Sequence, residues 1–265
     1  MAGSNVDGTS AEQAAATAKG AGRSGEGRAR LAGEAGAARS SEASGAERAV
    51  KRSCIDCPVA ACGKHTDNHP SFCDTAGLSD AERGAMRDAY RGEELAIERA
   101  ALDTAARVGR EALCRLEETM AFCHSMGYRK IGIANCGALQ AEAVTTAKIL
   151  RIHGYEVFGV SCKFGELEGS DFFDEPCGVS PTSRACNPLV QVARLNEWGS
   201  DFNLIVGLCV GHDALFARHS DAPVSTLVAK DRTLGNNPVA ALNTCCYPAH
   251  IWSRLLKENE TLSAR

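Results

Sequence analysis

Thirteen cysteines, an odd number, are the feature that most constrains this chain of 265 residues. They cannot all pair as disulfides within one molecule, and no charged and then apolar leader of the secretory kind opens the sequence. We therefore expect a cytoplasmic protein whose thiols are reduced, metal-bound or catalytic, rather than a secreted disulfide scaffold. Hydrophobic residues make up 44% of the chain, which is enough for a sizeable core.

Net charge and hydropathy exclude two classes of partner. The formal net charge is −4, which is too small to favour binding to a polyanion or to a charged membrane surface. The best apolar run, 204–211, is much shorter than the roughly 18 residues typical of a membrane-spanning helix. We therefore expect neither a nucleic-acid partner nor membrane insertion.

Composition divides the chain into four segments. Residues 1–50 are mostly Ala, Gly, Ser, Glu and Arg without an aromatic residue, which predicts a disordered tail. Residues 51–78 form a small module rich in Cys, His, Pro and Asp, and 79–127 form a helical segment that Ser79 and Glu82 open as a capping box. Two cysteines of this segment, Cys114 and Cys123, are expected in the core.

Residues 128–265 alternate between strand and helix patterns, which predicts an α/β domain. The predicted strands are 130–135, 155–161, 202–208 and 223–229. The predicted helices are 138–153, one opened by Asn187 and Pro188, 211–218, and one from about Val239 after Asn237 and Pro238. This order favours a three-layer, doubly wound, mostly parallel sheet, preceded by the Cys-rich module and the helical segment.

The first cysteines have the spacing of a metal site. The candidate ligands are Cys54, Cys57, Cys62 and Cys73, with His65 and His69 inside the last gap. Two thiolates separated by two residues can bind one ion, and a second pair completes its tetrahedral coordination. Zinc and an iron–sulfur cluster both suit four thiolates, so the spacing leaves the metal open. The alternative is a Cys-rich loop with free thiols.

A second set of cysteines follows the predicted strands. Carboxyl ends of parallel strands meet at the edge where open α/β folds bind ligands. The second candidate site consists of Cys136, Cys162 and Cys209 after the first three strands, Cys186 just before the Asn187-Pro188 cap, and His212. Cys177, in the loop before Cys186, could fold over the same edge. The alternative is that each is a small buried hydrophobe. The adjacent Cys245 and Cys246 receive no role.

Two further features belong to this edge. Cys209 and His212 are candidate catalytic residues, as nucleophile and acid/base, while Asp213 could orient the imidazole or interact with a helix N-terminus. Lys230 and Arg232 follow the fourth strand and are candidates for binding a small anionic ligand, although an ordinary charged turn explains them equally well.

Several stretches resemble an uncharacterised Cys-rich family of bacteria and archaea, a family of unknown function whose members are often labelled metal-binding proteins. The stretches are RKIGIA at 129–134, CNP at 186–188, NLIVGLCVGHD at 203–213, VAKDR at 228–232 and NPV at 237–239. The resemblance implies metal binding through cysteines and supplies no reaction. One departure is Asn236, where members of the family tend to have His before the Asn-Pro pair; if that His were a ligand, this chain would lack it or use the amide oxygen.

Three functions are compatible with these features. The first is a Cys-ligated metalloprotein, with zinc or an iron–sulfur cluster, and with redox or thiol chemistry at the sheet edge. The second is a metal or small-ligand carrier or sensor without catalysis. The third is an enzyme that uses Cys209 and His212 and is held together by one structural zinc. Whether the chain is an enzyme stays open at this point.

Overall fold

The computed structural model describes residues 52–64, 66–174 and 180–243. The tail expected over 1–50 lies outside these ranges, as do His65, Cys177, Cys245 and Cys246. The chain divides into two compact units, one up to Arg99 and one from Ala100. Within the described residues, no helix is both long and apolar enough to cross a membrane.

The first unit contains short helices and turns around the Cys-rich module. Its elements are a 3₁₀ turn at Cys54–Asp56, α1 at Ala61–Lys64, a second 3₁₀ turn at Asp74–Gly77, and α2 at Asp80–Ala89. The predicted capping box is confirmed. The Ser79 hydroxyl accepts a hydrogen bond from the Glu82 backbone N–H at 3.2 Å, and the Glu82 carboxylate accepts one from the Ser79 N–H at 2.8 Å. Helix α3 follows at Glu93–Glu111.

The second unit is an α/β domain with a four-stranded parallel sheet, as the sequence predicts. The elements after α3 are α4 (Arg115–Ser125), β1 (Lys130–Asn135), α5 (Gln140–Ile152), β2 (Glu156–Ser161), α6 (Pro188–Trp198), β3 (Phe202–Val206), α7 (Val210–His219) and β4 (Val224–Val228). The strand order is β2-β1-β3-β4, with all three pairings parallel. The chain reverses its direction across the sheet after β2, which defines a doubly wound fold.

The two central strands form the middle of the core. Every residue of β3 is buried, and β1 is buried from Ile131 to its end. Strands buried along nearly their whole length are typical of parallel sheets covered on both faces. Crossovers between parallel strands are almost always right-handed, which places α5 on one face of the sheet and α6 and α7 on the other, and α6 contacts α7. The cysteines that follow the strands therefore lie at one edge of a rigid sheet.

Two predicted helix starts have different outcomes. At α6 the Asn187 side chain accepts a hydrogen bond from the Val190 N–H at 3.1 Å, with Pro188 at the first helical position, so this cap is confirmed. At the second Asn-Pro pair, the described residues form only a 3₁₀ turn, Pro238–Ala241, and Asn237 makes no side-chain cap hydrogen bond. The same dipeptide therefore opens a helix in one context and a single turn in the other.

The two cysteines of the helical segment also differ. Cys123 lies in α4 and is 1% exposed, as expected for a core residue. Cys114 is exposed and stands before the first residue of α4, so its expected place in the core is wrong. The break between α3 and α4 explains the difference, because Ala112 adopts a left-handed φ of 52° that ends α3.

Candidate functional site

Three side chains of the Cys-rich module come together in a group suited to a metal ion. The ligand atoms of Cys62, His69 and Cys73 all lie within 4.8 Å of one another. The Cys73 Sγ is 3.4 Å from the His69 Nδ1. Within the three described ranges this is the only cluster of three or more Cys, His, Asp or Glu ligands that meets this distance.

Short turns bring these three residues together. The His69 N–H donates to the Asp67 carbonyl at 2.9 Å, and the Cys73 N–H donates to the Pro70 carbonyl at 2.9 Å. These successive turns fold 67–73 back on itself and place the imidazole beside the Cys73 thiol. Cys62 lies in α1, and its thiol is 3.6 Å from the Thr75 hydroxyl.

The donor set fits a borderline-soft transition metal. Thiolate sulfur and imidazole nitrogen are the usual zinc ligands, at about 2.3 Å and 2.0–2.1 Å. Two such ligands on one tetrahedral ion are about 3.5 Å apart, close to the 3.4 Å between Cys73 and His69. The group therefore has the donor atoms for a metal ion, and its Cys73–His69 pair has the spacing of two ligands on one ion.

The other two predicted ligands, Cys54 and Cys57, lie outside the 4.8 Å group. They form a single turn, in which the Cys57 N–H donates to the Cys54 carbonyl at 3.2 Å. Hydrogen bonds from the backbone N–H groups of Val59, Ala60 and Ala61 lower the pKa of the Cys57 thiol. His65 lies outside the described residues.

The strand-end cysteines lie at the carboxyl edge of the sheet. The Cys136 N–H donates to the Val206 carbonyl at 3.1 Å, and the Cys162 N–H donates to the Asn135 carbonyl at 2.8 Å. The sheet's hydrogen bonding thus continues to the cysteines themselves. Cys136 and Cys162 are 7% and 2% exposed, whereas Cys209 is half-buried.

Lys230 connects two of these cysteines. Its Nζ lies 2.7 Å from the Cys136 sulfur and 3.9 Å from the Cys209 sulfur. Burial alone would raise the pKa of Cys136, but the hydrogen bonds from Lys230 and from the Ala138 backbone outweigh it and lower that pKa. The Lys230 pKa is raised in return, because its contact with Cys136 outweighs its own burial. The pair therefore favours an ammonium beside a thiolate.

Cys162 and Cys186 form a second sulfur pair beside Cys136. Their sulfur atoms are 3.7 Å apart, and the Cys162 sulfur also accepts a hydrogen bond from the Gly137 N–H at 3.4 Å. The Asn187 N–H donates to the Cys162 carbonyl at 2.8 Å, which fixes the two backbone segments together. Burial raises the pKa of Cys162 to about 11, so this thiol stays protonated.

His212 and Asp213 occupy the first turn of α7. The His212 N–H donates to the Cys209 carbonyl at 2.8 Å, so its described contact with Cys209 runs through the backbone. Burial, then the charges of Lys163 and Lys230, lower the pKa of His212. Burial raises the pKa of Asp213 to about 6, and its Oδ1 has no hydrogen-bond partner among the described residues. The imidazole is thus held neutral.

The two predicted anion-binding residues are placed differently. Lys230 points at the thiols, as described above, whereas Arg232 is exposed. Asn236, at the position where the resembled family tends to have His, has a left-handed φ of 63°. Its side-chain oxygen accepts a hydrogen bond from the Asp231 N–H at 3.1 Å. Asn tolerates this backbone conformation well, so its described role is to close a turn.

Gln191 supports the sheet edge that carries the cysteines, and the sequence analysis did not identify it. It is fully buried in α6, and its Nε2 donates to the carbonyls of Asn135 at 3.1 Å and Val160 at 2.6 Å. These bonds tie α6 to the ends of β1 and β2 and so hold the edge cysteines in register. A polar residue on the apolar face of a predicted helix was the available signal.

Comparisons with known proteins agree with the resemblance of the sequence to a family of unknown function. Residues 73–227 match the family model described as "Protein of unknown function (DUF1847)". A curated relative, "Uncharacterized protein MJ0455" from Methanocaldococcus jannaschii, is 45% identical over 133 residues, which cover 50% of this chain and 68% of the relative. No solved structure shows significant similarity to the chain. The matched range contains Cys73, the strand-end cysteines and most of the sheet, and the chain belongs to the DUF1847 family of proteins of unknown function.

Proposed function

We propose that this protein binds one zinc ion through its Cys-rich module, with Cys62, His69 and Cys73 as three of the ligands. The observation that carries the proposal is the mutual distance of 4.8 Å or less among their ligand atoms. Holding two thiols and one imidazole at such short distances costs conformational entropy, which a shared partner offsets. A bound metal supplies that partner.

The imidazole favours zinc over an iron–sulfur cluster. Common cluster sites use four thiolates, whereas Cys₃His and Cys₂His₂ sets are standard structural zinc sites. The fourth ligand is Cys57, whose lowered pKa makes its thiolate available. Cys54, in the same turn, is the alternative fourth ligand. When bound, the ion would supply a covalent anchor for a module with little core of its own.

Metal content tests this proposal. Full-length protein purified without oxygen should contain about one zinc per chain, the number that one tetrahedral Cys/His site binds. The Cys62→Ser/Cys73→Ser variant should lose it, while Cys114→Ser, an exposed cysteine outside the group, should retain it. Equal zinc content in both variants would show that the module is not the zinc site. Iron with acid-labile sulfide would show that the bound group is an iron–sulfur cluster instead of zinc.

A second candidate function is thiol chemistry at the sheet edge, with Cys136 as the reactive thiolate. The specific observation is the 2.7 Å contact between the Lys230 Nζ and the Cys136 sulfur. A cation at this distance stabilises a thiolate, which is the nucleophilic form of cysteine. This contact supports a reactive edge over a carrier or sensor in which the thiols serve only as ligands, and Cys136 rather than Cys209 is the nucleophile of this proposal.

Alkylation tests the second candidate. Limiting iodoacetamide at neutral pH should modify Cys136 before Cys162, since only Cys136 has a cation on its sulfur. Peptide mapping by mass spectrometry identifies the modified site. Modification of Cys162 at the same rate as Cys136 would contradict the proposal.

A further inference from the structure

Three cysteines lie next to one another at the carboxyl edge, beside a lysine. Lys230 contacts Cys136, the Cys162 sulfur accepts a hydrogen bond at 3.4 Å from the N–H of Gly137, the residue after Cys136, and the Cys186 sulfur lies 3.7 Å from the Cys162 sulfur. Cys136 follows β1, Cys162 follows β2, and Cys186 precedes the Asn187 cap of α6. The group therefore depends on the fold and is absent from any short sequence motif.

We infer that Cys136, Cys162 and Cys186 form a thiol–disulfide exchange site, in which Cys136 attacks a small-molecule disulfide and Cys162 and Cys186 end as the disulfide. This inference rests on the proposed reactivity of Cys136 and adds the reaction class, the co-reactant and the roles of two further cysteines.

Each step of the exchange balances. The Cys136 thiolate attacks a disulfide R–S–S–R, forming a Cys136–S–S–R mixed disulfide and releasing R–S⁻. The released R–S⁻ takes the proton of the Cys162 thiol, and the resulting thiolate attacks the Cys136 sulfur and releases the second R–S⁻. Cys186 finally attacks the Cys162 sulfur and frees the Cys136 thiolate. The protons of Cys162 and Cys186 pass to the two released thiolates, so that one disulfide and two protein thiols become one protein disulfide and two small thiols.

The surroundings of the three cysteines suit the first attack and the final product. Exchange is faster when the attacking thiol is ionised near ambient pH and when the leaving thiol has a low pKa. Lys230 favours the thiolate of Cys136 both when it attacks and when it leaves. Cys162 is buried, with a pKa of about 11, which makes it a poor leaving group once it is paired with Cys186. The final disulfide is thus the stable product.

The geometry also suits the final disulfide. Two sulfurs 3.7 Å apart must approach to about 2.05 Å. The hydrogen bond from the Asn187 N–H to the Cys162 carbonyl keeps the two backbone segments adjacent, as a disulfide between neighbouring cysteines requires.

The experiment treats full-length protein with oxidised glutathione at neutral pH and maps disulfides by mass spectrometry. Wild-type protein should form the Cys162–Cys186 disulfide. The Cys162→Ser variant should accumulate one glutathione on Cys136, and the Cys186→Ser variant should stop at a Cys136–Cys162 disulfide. Cys114→Ser serves as the matched control and should react as the wild type does.

Several results would overturn the inference. The first is a glutathione adduct on Cys186 instead of Cys136 in the Cys162→Ser variant. The second is wild-type protein that forms no Cys162–Cys186 disulfide. The third is that the edge cysteines react only after a chelator has removed a metal from them. If Cys136 is alkylated rapidly but no Cys162–Cys186 disulfide forms, the exchange site is wrong while the proposed reactivity of Cys136 stands. If alkylation of Cys136 is also slow, both fail. Zinc content of the module, measured on the same samples, is independent of either result.

Discussion

At the scale of single residues, the same side chain has opposite chemistry in different places. The Cys123 thiol, buried in α4, has its pKa raised by burial and then by Asp201 to about 12. The Cys136 thiol is also buried, yet Lys230 lowers its pKa. The sequence indicates that Cys136 follows a strand. It could not predict the contact with Lys230, because the two residues are 94 positions apart and meet only through the pairing of three strands, β1, β3 and β4.

Replacing Lys230 should change the pH dependence of Cys136. In Lys230→Gln the burial of the thiol remains and its main stabilising cation is lost, so its pKa rises. At a fixed pH below the pKa, the thiolate fraction falls about tenfold for each unit by which the pKa rises. A charged hydrogen bond is worth about 1.5–3 kcal/mol, so we expect alkylation of Cys136 at neutral pH to slow by on the order of tenfold or more.

The measurement is the rate of Cys136 alkylation as a function of pH. The charged and titratable groups around this sulfur are Lys230 and Cys162, with Cys209 and Arg232 acting through Lys230. The wild-type profile should rise at lower pH than that of the variant, and the two should converge at high pH where both thiols are ionised. Arg232→Gln is the control for loss of a nearby charge. Superimposable profiles for wild type and Lys230→Gln would contradict the role assigned to Lys230.

At the scale of secondary structure, the alternating pattern predicted the sheet closely. The first strand was predicted at the residues where it lies, and the other three within two residues at each end. Helix boundaries were less accurate at α5, where the 3₁₀ turn Gly137–Leu139 precedes the helix. Propensity cannot separate one tight turn from the first turn of a helix, because both have similar dihedral angles.

Turn geometry at the end of β3 positions Cys209. Gly207 has a left-handed φ of 67°, and a Cβ there would lie 2.5 Å from a methyl group of Leu139. Leu139 is 4% exposed and has little room to move. Gly207→Ala should therefore lower the free energy of unfolding by about 2–4 kcal/mol, from overpacking and from the backbone conformation together.

Urea denaturation measures this effect. The matched control is Gly211→Ala in the first turn of α7, where a Cβ would meet nothing within 4 Å. That variant should be neutral or more stable by up to about 1 kcal/mol. Equal stability of the two variants would show that the turn before Cys209 tolerates a side chain.

At the scale of the whole molecule, the two units depend on different interactions. The core of the α/β unit is a continuous cluster of buried side chains on the strands and on α4 to α7. In the module, Ala61 is the only buried residue among those described in 52–78. The Cys spacing indicated a metal site there. It could not show that His69 joins Cys62 and Cys73, because the turns over 67–73 decide which residues in the gap meet.

Removing the metal should affect the two units unequally. A chelator should lower hydrogen-exchange protection across 52–78, since the proposed ion links residues with almost no apolar burial. The thermal unfolding of the α/β unit should stay unchanged, because its core needs no metal. Uniform loss of protection in both units, or none in either, would contradict this division.

X-ray absorption at the zinc edge of the intact protein shows directly whether Cys62, His69 and Cys73 hold a metal ion. We predict a four-coordinate ion with sulfur neighbours at about 2.3 Å and at least one imidazole nitrogen at about 2.0–2.1 Å. The imidazole contribution should disappear in His69→Ala. A shell of oxygen and nitrogen alone, or four sulfurs in both wild type and His69→Ala, would contradict the assignment of Cys62, His69 and Cys73 as the metal site.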